Sequence, residues 1–166
     1  MCVWRQNVSR AFVDESASES MEENAPALKI PLPPGAKNYI TPQGAARMRA
    51  ELEELLATAQ PRLREVDRRI EYLSRMAALM EIVAPGAQPP ERVVFGATVT
   101  VREKGRGERK YRIVGVDERD ASHGWVSWIS PIARALTGRK PGDTAKVTLP
   151  AGEKLLTIVS IGNTPA

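Results

Sequence analysis

The stretch Ala57-Thr-Ala-Gln-Pro-Arg-Leu-Arg-Glu-Val-Asp-Arg-Arg69 decides how the first half of this chain folds. Before it, Ala45, Met48, Leu52, Leu55 and Ala59 recur at spacings of three and four. From Leu63 onward Val66, Ile70, Leu73, Ala77 and Met80 do the same. That period belongs to helices with one apolar seam each. Pro61 stands between the seams. Inside a continuous helix it would delete a hydrogen bond and clash with the preceding turn, at a cost of ~3 kcal/mol, and it steers Gln60 out of helical geometry. As the first residue of a second helix it costs almost nothing. Each seam needs cover, and the simplest cover is its neighbour in sequence. The expectation is an antiparallel helical hairpin over 39–84 that turns near Ala59-Gln60-Pro61, with a single kinked helix as the alternative. An arm of this size reaches about 25–30 Å.

Outward from the turn, Thr41-Pro42 reads as a helix start. Threonine can accept amide hydrogen bonds as the cap, and proline at the first helical position has no amide to leave unpaired. Arg47/Glu51, Arg49/Glu53, Glu65/Arg69 and Glu71/Arg75 are of opposite sign and four apart, each pair contributing about 0.2–0.5 kcal/mol on a solvated face. Residues 1–38 lack periodicity. They hold the acidic, serine-rich run Asp14–Glu23 and then Pro31-Leu-Pro-Pro-Gly35, which together suggest a flexible tail with an extended end. The first seven residues, MCVWRQN, are unlike the rest of the chain, and a start at Val8 would remove Cys2 and Trp4.

After a linker over 85–92, rich in proline and glycine, the period changes. Ala97–Arg102 alternates as a half-buried strand does, Lys104-Gly-Arg-Gly107 supplies a turn, and Lys110–Val114 resumes the pattern. Trp125–Ile129 reads as a further strand. Ser130-Pro131 repeats the capping logic for a short helix ending at Ala135 or Leu136. Lys140-Pro-Gly-Asp143 leads into two closing strands, Thr144–Leu149 and Lys154–Ile161, with 162–166 as a tail. The fold class is α+β: a helical hairpin followed, over 93–161, by a small antiparallel sheet with one helix.

Composition narrows the chemistry. In 166 residues with 42% hydrophobic content a modest core can form. No run approaches the ~18 apolar residues of a membrane span, and a cytoplasmic protein without membrane contact is expected. One cysteine, Cys2, and one histidine, His123, leave no ordinary zinc site. The net charge of +4 suits a nucleic-acid complex and an ordinary surface equally. Asp120-Ala-Ser-His-Gly124 has the residue types of a catalytic triad, but a triad is assembled across a fold and this is one tight turn. Gly105-Arg-Gly107 lacks the strand-to-helix setting of a phosphate loop. Glu51, Glu53 and Glu54 do not converge as metal ligands would. No catalytic residue, metal or cofactor is expected, and the chain reads as a binding protein rather than an enzyme.

The motifs Tyr39-Ile-Thr-Pro-Gln-Gly44, Leu63-Arg-Glu-Val-Asp-Arg-Arg-Ile-Glu-Tyr-Leu73, Phe95-Gly-Ala97, Tyr111-Arg-Ile-Val-Gly115, Ser130-Pro-Ile-Ala-Arg-Ala-Leu136 and Lys140-Pro-Gly-Asp143 resemble the GreA/GreB transcription elongation factors, nearer the GreB branch. Ser9-Arg-Ala-Phe-Val13 also resembles a start seen in GreB-like chains and agrees with Val8 as initiator. The resemblance runs from about Tyr39 to Ile161. It implies a short coiled-coil hairpin and an FKBP-like C-terminal domain. It further implies that RNA polymerase is the partner: the C-terminal domain docks at the rim of the secondary channel, and the hairpin enters the channel. In the family, acids at the hairpin tip help hold a metal in the polymerase active site and so stimulate cleavage of backtracked RNA.

Two departures qualify that resemblance. Between Ala57 and Arg64 there is no carboxylate; the turn offers Arg62 and Arg64, and a positive group repels a divalent cation. No stimulation of cleavage is expected. Where the family docks with Asp-Ser-Pro, this chain has Ile129-Ser130-Pro131, so the acid is missing from the polymerase-binding residues. Arg62, Arg64, Arg68 and Arg69 are candidates for contact with polymerase, RNA or DNA. The interspersed Glu65, Asp67 and Glu71 favour a solvated face. A non-transcriptional binding module resembling the regulators of nucleoside diphosphate kinase is the alternative function. An FKBP-like isomerase is disfavoured because, at 5% aromatic content, no aromatic cluster is evident to hold a prolyl ring.

Overall fold

The computed structural model describes residues 28–58, 60–103 and 105–163. Cys2, Trp4, Val8 and the acidic run lie outside them, as do 164–166. Strand β1 (Asn38–Ile40) leads through Thr41 into helix α1 (Pro42–Ala57). Thr41 stays extended while its hydroxyl accepts the Gly44 amide at 3.1 Å, as the Thr-Pro motif predicts.

Helix α2 spans Arg64–Ala78, which corrects the expectation that Pro61 is its first residue. The amides of Val66 and Asp67 close on the Leu63 carbonyl, at 2.9 and 3.2 Å, so Leu63 is the cap and Pro61 belongs to the connection. Arg62 is held within that connection. Its Nε donates to the Thr58 carbonyl at 3.1 Å and its Nη2 to the Leu56 carbonyl at 2.6 Å. Both acceptors lie at the C-terminal end of α1, where carbonyls lack helical partners and the dipole favours a cation.

The two helices pack on a shared core of Ile40, Ala45, Met48, Leu73 and Met76, which Val116 from the second half completes. Among the expected i,i+4 pairs, Glu71–Arg75 closes at 2.7 Å. Glu51 instead receives both arms of Arg69 from the other helix, at 2.7 and 3.0 Å. Arg47 lies over the Trp125 ring, 5.7 Å from its centroid.

Met80 was expected on the helical seam and Asn38 in a tail, yet both are strand residues. Strand β2 (Met80–Ile82) runs parallel to β1, with Asn38 opposite Met80. Helix ends explain the pairing. The Asn38 amide donates to the Leu79 carbonyl at 2.8 Å and its Nδ2 to the Met76 carbonyl at 3.1 Å, so β1 satisfies the end of α2. Ile30 and Leu32 pack against the helix core, so the fold begins before residue 38.

The second half is a five-strand sheet in the order β5-β4-β3-β7-β6, made of β3 (Thr98–Glu103), β4 (Gly107–Val114), β5 (Trp125–Ser127), β6 (Thr144–Leu149) and β7 (Gly152–Gly162). Helix α3 (Pro131–Leu136) is capped by Ser130, whose Oγ accepts the Ala133 amide at 3.2 Å. Val99 and Val101 point inward, onto Ile113, Leu136, Val147 and Ile158. The sheet is antiparallel except at β5, which pairs parallel with β4, Arg112 opposite Trp125. That corrects the all-antiparallel expectation. Between Val114 and Trp125 the excursion of residues 115–124 carries the chain back to run in the same direction, a shorter crossover than parallel pairs usually have.

Tyr39, Phe95 and Trp128 come together, although no aromatic cluster was evident in the sequence. Tyr39 meets Trp128 edge-on with centroids 5.4 Å apart, and Phe95 at 6.2 Å. With Val83, Ile113 and Thr137 they line a cavity of about 290 Å³. Trp128 also touches both cores, which makes it the apolar joint between helices and sheet.

Candidate functional site

The site forms where the excursion after β4 meets the helices. Glu118, only 8% exposed, accepts the amides of Thr41 at 3.0 Å and Gly115 at 2.9 Å, and also the Thr41 hydroxyl. A buried carboxylate requires such partners, and this one also faces the N-terminal end of α1, where negative charge is favoured. Two glycines make room for it. A Cβ on Gly115 would lie 2.7 Å from Glu118 Oε2 and 2.9 Å from the Tyr39 carbonyl, and one on Gly44 would overlap the carboxylate.

Beside it, Asp117 Oδ1 accepts the Tyr72 hydroxyl at 2.6 Å. Burial, and then this bond, push the Tyr72 pKa well above the usual phenol value. Arg69 lies over the Tyr72 ring at 5.3 Å, and its bond to Glu51 raises its own pKa. Arg69, Tyr72, Asp117, Arg119, Ile129 and Ser130 line one cleft of about 550 Å³. A second cleft, of about 470 Å³, shares Arg119, Ser127 and Ser130 with the first and adds Tyr111 and Trp125.

Of the residues singled out in the sequence, Ile129, Ser130 and Arg69 are thus brought together, and Pro131 is exposed on the first turn of α3. Ile129 is half-buried, one side against the helix core and the other in the cleft. Arg62, Arg64 and Arg68 lie apart from this cleft, in the connection and on α2; Arg62 is folded onto α1, whereas Arg64 and Arg68 are exposed.

Sequence reasoning missed Tyr72, Asp117, Glu118 and Arg119. Val116-Asp-Glu-Arg119 reads as a polar run after a strand. The one hint is that glycines recur at 44 and 115, next to what prove to be the two ends of the Glu118 contact.

Asp120, Ser122 and His123 form a single turn, as the sequence suggests. Asp120 Oδ1 accepts the Ser122 amide at 2.8 Å, and the Ser122 hydroxyl, followed by His123, holds the Asp120 carboxyl below the ordinary carboxylate range. Ser122 Oγ at 3.1 Å and Asp120 Oδ2 at 2.7 Å approach the same histidine nitrogen, Nδ1. A triad needs them on opposite nitrogens. Among the described residues no group of three His, Cys, Asp or Glu side chains is placed to hold a metal, and no helix is long and apolar enough to cross a membrane.

The two-helix unit thus packs against a curled five-strand sheet, with two clefts at the junction. Residues 88–163 match the family described as Transcription elongation factor, GreA/GreB, C-term. Transcription elongation factor GreB of Xanthomonas axonopodis pv. citri is 35% identical over 158 residues, covering 78% of this chain and 94% of that protein. The GreB of Pseudomonas aeruginosa is 37% identical over 153 residues, covering 76% and 91%. A solved GreA/GreB factor from Nitrosomonas europaea aligns over 76% of this chain and 98% of its own, with 26% identity and a TM-score of 0.40. The chain belongs to the GreA/GreB family of transcription elongation factors.

Proposed function

We propose that this chain is a Gre-type regulator that binds RNA polymerase at the rim of the secondary channel without stimulating transcript cleavage. Its helices act as a short antiparallel hairpin and its sheet as an FKBP-like docking domain that presents Ile129, Ser130 and Pro131. The chain works in the cytoplasm and catalyses nothing itself. The observation that carries the cleavage claim is the connection between α1 and α2. No carboxylate lies between Ala57 and Arg64, and Arg62 is closed down on the Leu56 and Thr58 carbonyls. Nothing there recruits a divalent cation. The 16 residues of α1 also span only about 24 Å at 1.5 Å per residue, a short reach into a channel.

Arg64 and Arg68 are the cations left to face nucleic acid in such a complex, and each phosphate contact would make binding salt-sensitive. The short arm also suits the alternative of a nucleoside diphosphate kinase regulator. Co-migration of the purified chain with core RNA polymerase, and displacement of a full-length Gre factor, separate the two. Both results are expected. Retention of nucleoside diphosphate kinase but not polymerase would favour the alternative.

A further inference from the structure

We propose that Arg119 selects the partner: a carboxylate of an acidic segment of RNA polymerase sits on it, between the two junction clefts, with an apolar neighbour against Ile129. This rests on the polymerase-binding function and specifies the chemistry of the contacted segment. The two clefts, of about 550 and 470 Å³, meet at Arg119, Ser127 and Ser130. Most other charges near that meeting point are already held. Arg69 is bound by Glu51, Asp117 by the Tyr72 hydroxyl, and Asp120 by Ser122 and His123. Arg119 is exposed and enters none of the ion pairs formed among the described residues. Arg134, also exposed, lies one turn beyond Pro131 on α3 and carries the same sign.

Asp117 and Asp120 keep their negative charge, since a hydroxyl donor does not neutralise a carboxylate. Arg119 is the cation beside them that makes no ion pair among the described residues, and with Ile129 it gives the junction a local cationic and apolar spot. Cleft walls focus the field of a charge at their mouth, and a planar guanidinium matches a carboxylate with two parallel hydrogen bonds. Ile129 offers part of its surface in the cleft where an acid would repel such a partner. A basic segment would meet Arg119 with like charge, which interfaces select against.

The test measures the affinity of the full chain for core RNA polymerase, with Arg119→Glu, Arg119→Lys and Ile129→Asp, each variant first checked for an unchanged melting temperature. Charge reversal at Arg119 is expected to weaken binding by about 10- to 100-fold, because it sets like charges against each other across the contact. Lysine should lose less, since it keeps the charge and not the fork. Ile129→Asp should also weaken binding. Equal or tighter binding by Arg119→Glu, or tighter binding by Ile129→Asp, overturns the assignment and leaves polymerase binding standing. Arg119-dependent binding to a 20-nucleotide RNA, with polymerase binding unchanged, overturns it in favour of a phosphate partner. Failure of the unaltered chain to bind polymerase overturns the proposed function and this partner together.

Discussion

Trp128→Ala is expected to destabilise the protein by about 3 kcal/mol, the low end of the range for deleting a large aromatic side chain, because Trp128 is half-buried. At about 2–4 °C per kcal/mol for a chain of this size, the melting temperature should fall by roughly 6–12 °C. The reason is position. Trp128 is the side chain common to the helix core and the sheet core, and it meets Tyr39 edge-on at 5.4 Å. Its removal also uncouples the two cores, so calorimetry should resolve two transitions. Trp128→Phe is the control. The indole Nε1 is buried without a hydrogen-bond partner, so phenylalanine keeps most of the packing and discards an unsatisfied donor. That variant should cost clearly less than Trp128→Ala, since it removes one ring of the indole rather than the whole side chain. A single sharp transition near the parent temperature for Trp128→Ala would show that Trp128 does not join the cores.

Glu118→Ala is expected to cost about 2–4 kcal/mol, measured by urea unfolding, because it strands buried donors that a carboxylate now satisfies. The amides of Thr41 and Gly115 lose their acceptor, and the cap of α1 loses the anion beside it. Gly44→Ala should approach the same cost by a different route. Alanine is the better helix former by about 1 kcal/mol, but its methyl group takes the space of the carboxylate and displaces it from its donors. The two substitutions act on one contact, so the double variant should cost much less than the sum. Additive costs would separate Gly44 from Glu118.

The parts of the fold legible in the sequence are those with a local cause. Thr41-Pro42 and Ser130-Pro131 start helices because cap and proline sit side by side, and Thr98–Glu103 is a strand because its side chains alternate. The helical seams are legible for the same reason except at their ends, where Leu63 is an exposed cap and Met80 a strand residue. What escaped depends on partners far along the chain. Strands β1 and β2 have three residues each, too few for a period to show, and they pair across the whole helical segment. Glu118 is buried because Thr41, 77 residues earlier, supplies donors. Tyr39, Phe95 and Trp128 are scattered in sequence and adjacent in space. The start of α2 was misplaced because proline suits a first helical turn, whereas the Leu63 carbonyl closes it.

The site was legible to a similar degree. Ile129, Ser130 and Pro131 were marked by their motif and Arg69 by its charge, and the structure brings Arg69, Ile129 and Ser130 to one cleft. Arg119 carried no signal, since a lone arginine in a polar run is ordinary until two clefts are seen to meet at it. Arg62 was marked for its charge and is occupied at the end of α1.

Cleavage of RNA in a backtracked complex, timed with this chain alone and then in competition with a full-length Gre factor, tests the central claim most directly. The chain alone should leave the cleavage rate of the polymerase unchanged, and its addition should slow the cleavage stimulated by the full-length factor as the two compete for the rim. Acceleration by this chain alone, abolished by Glu54→Ala, would contradict it.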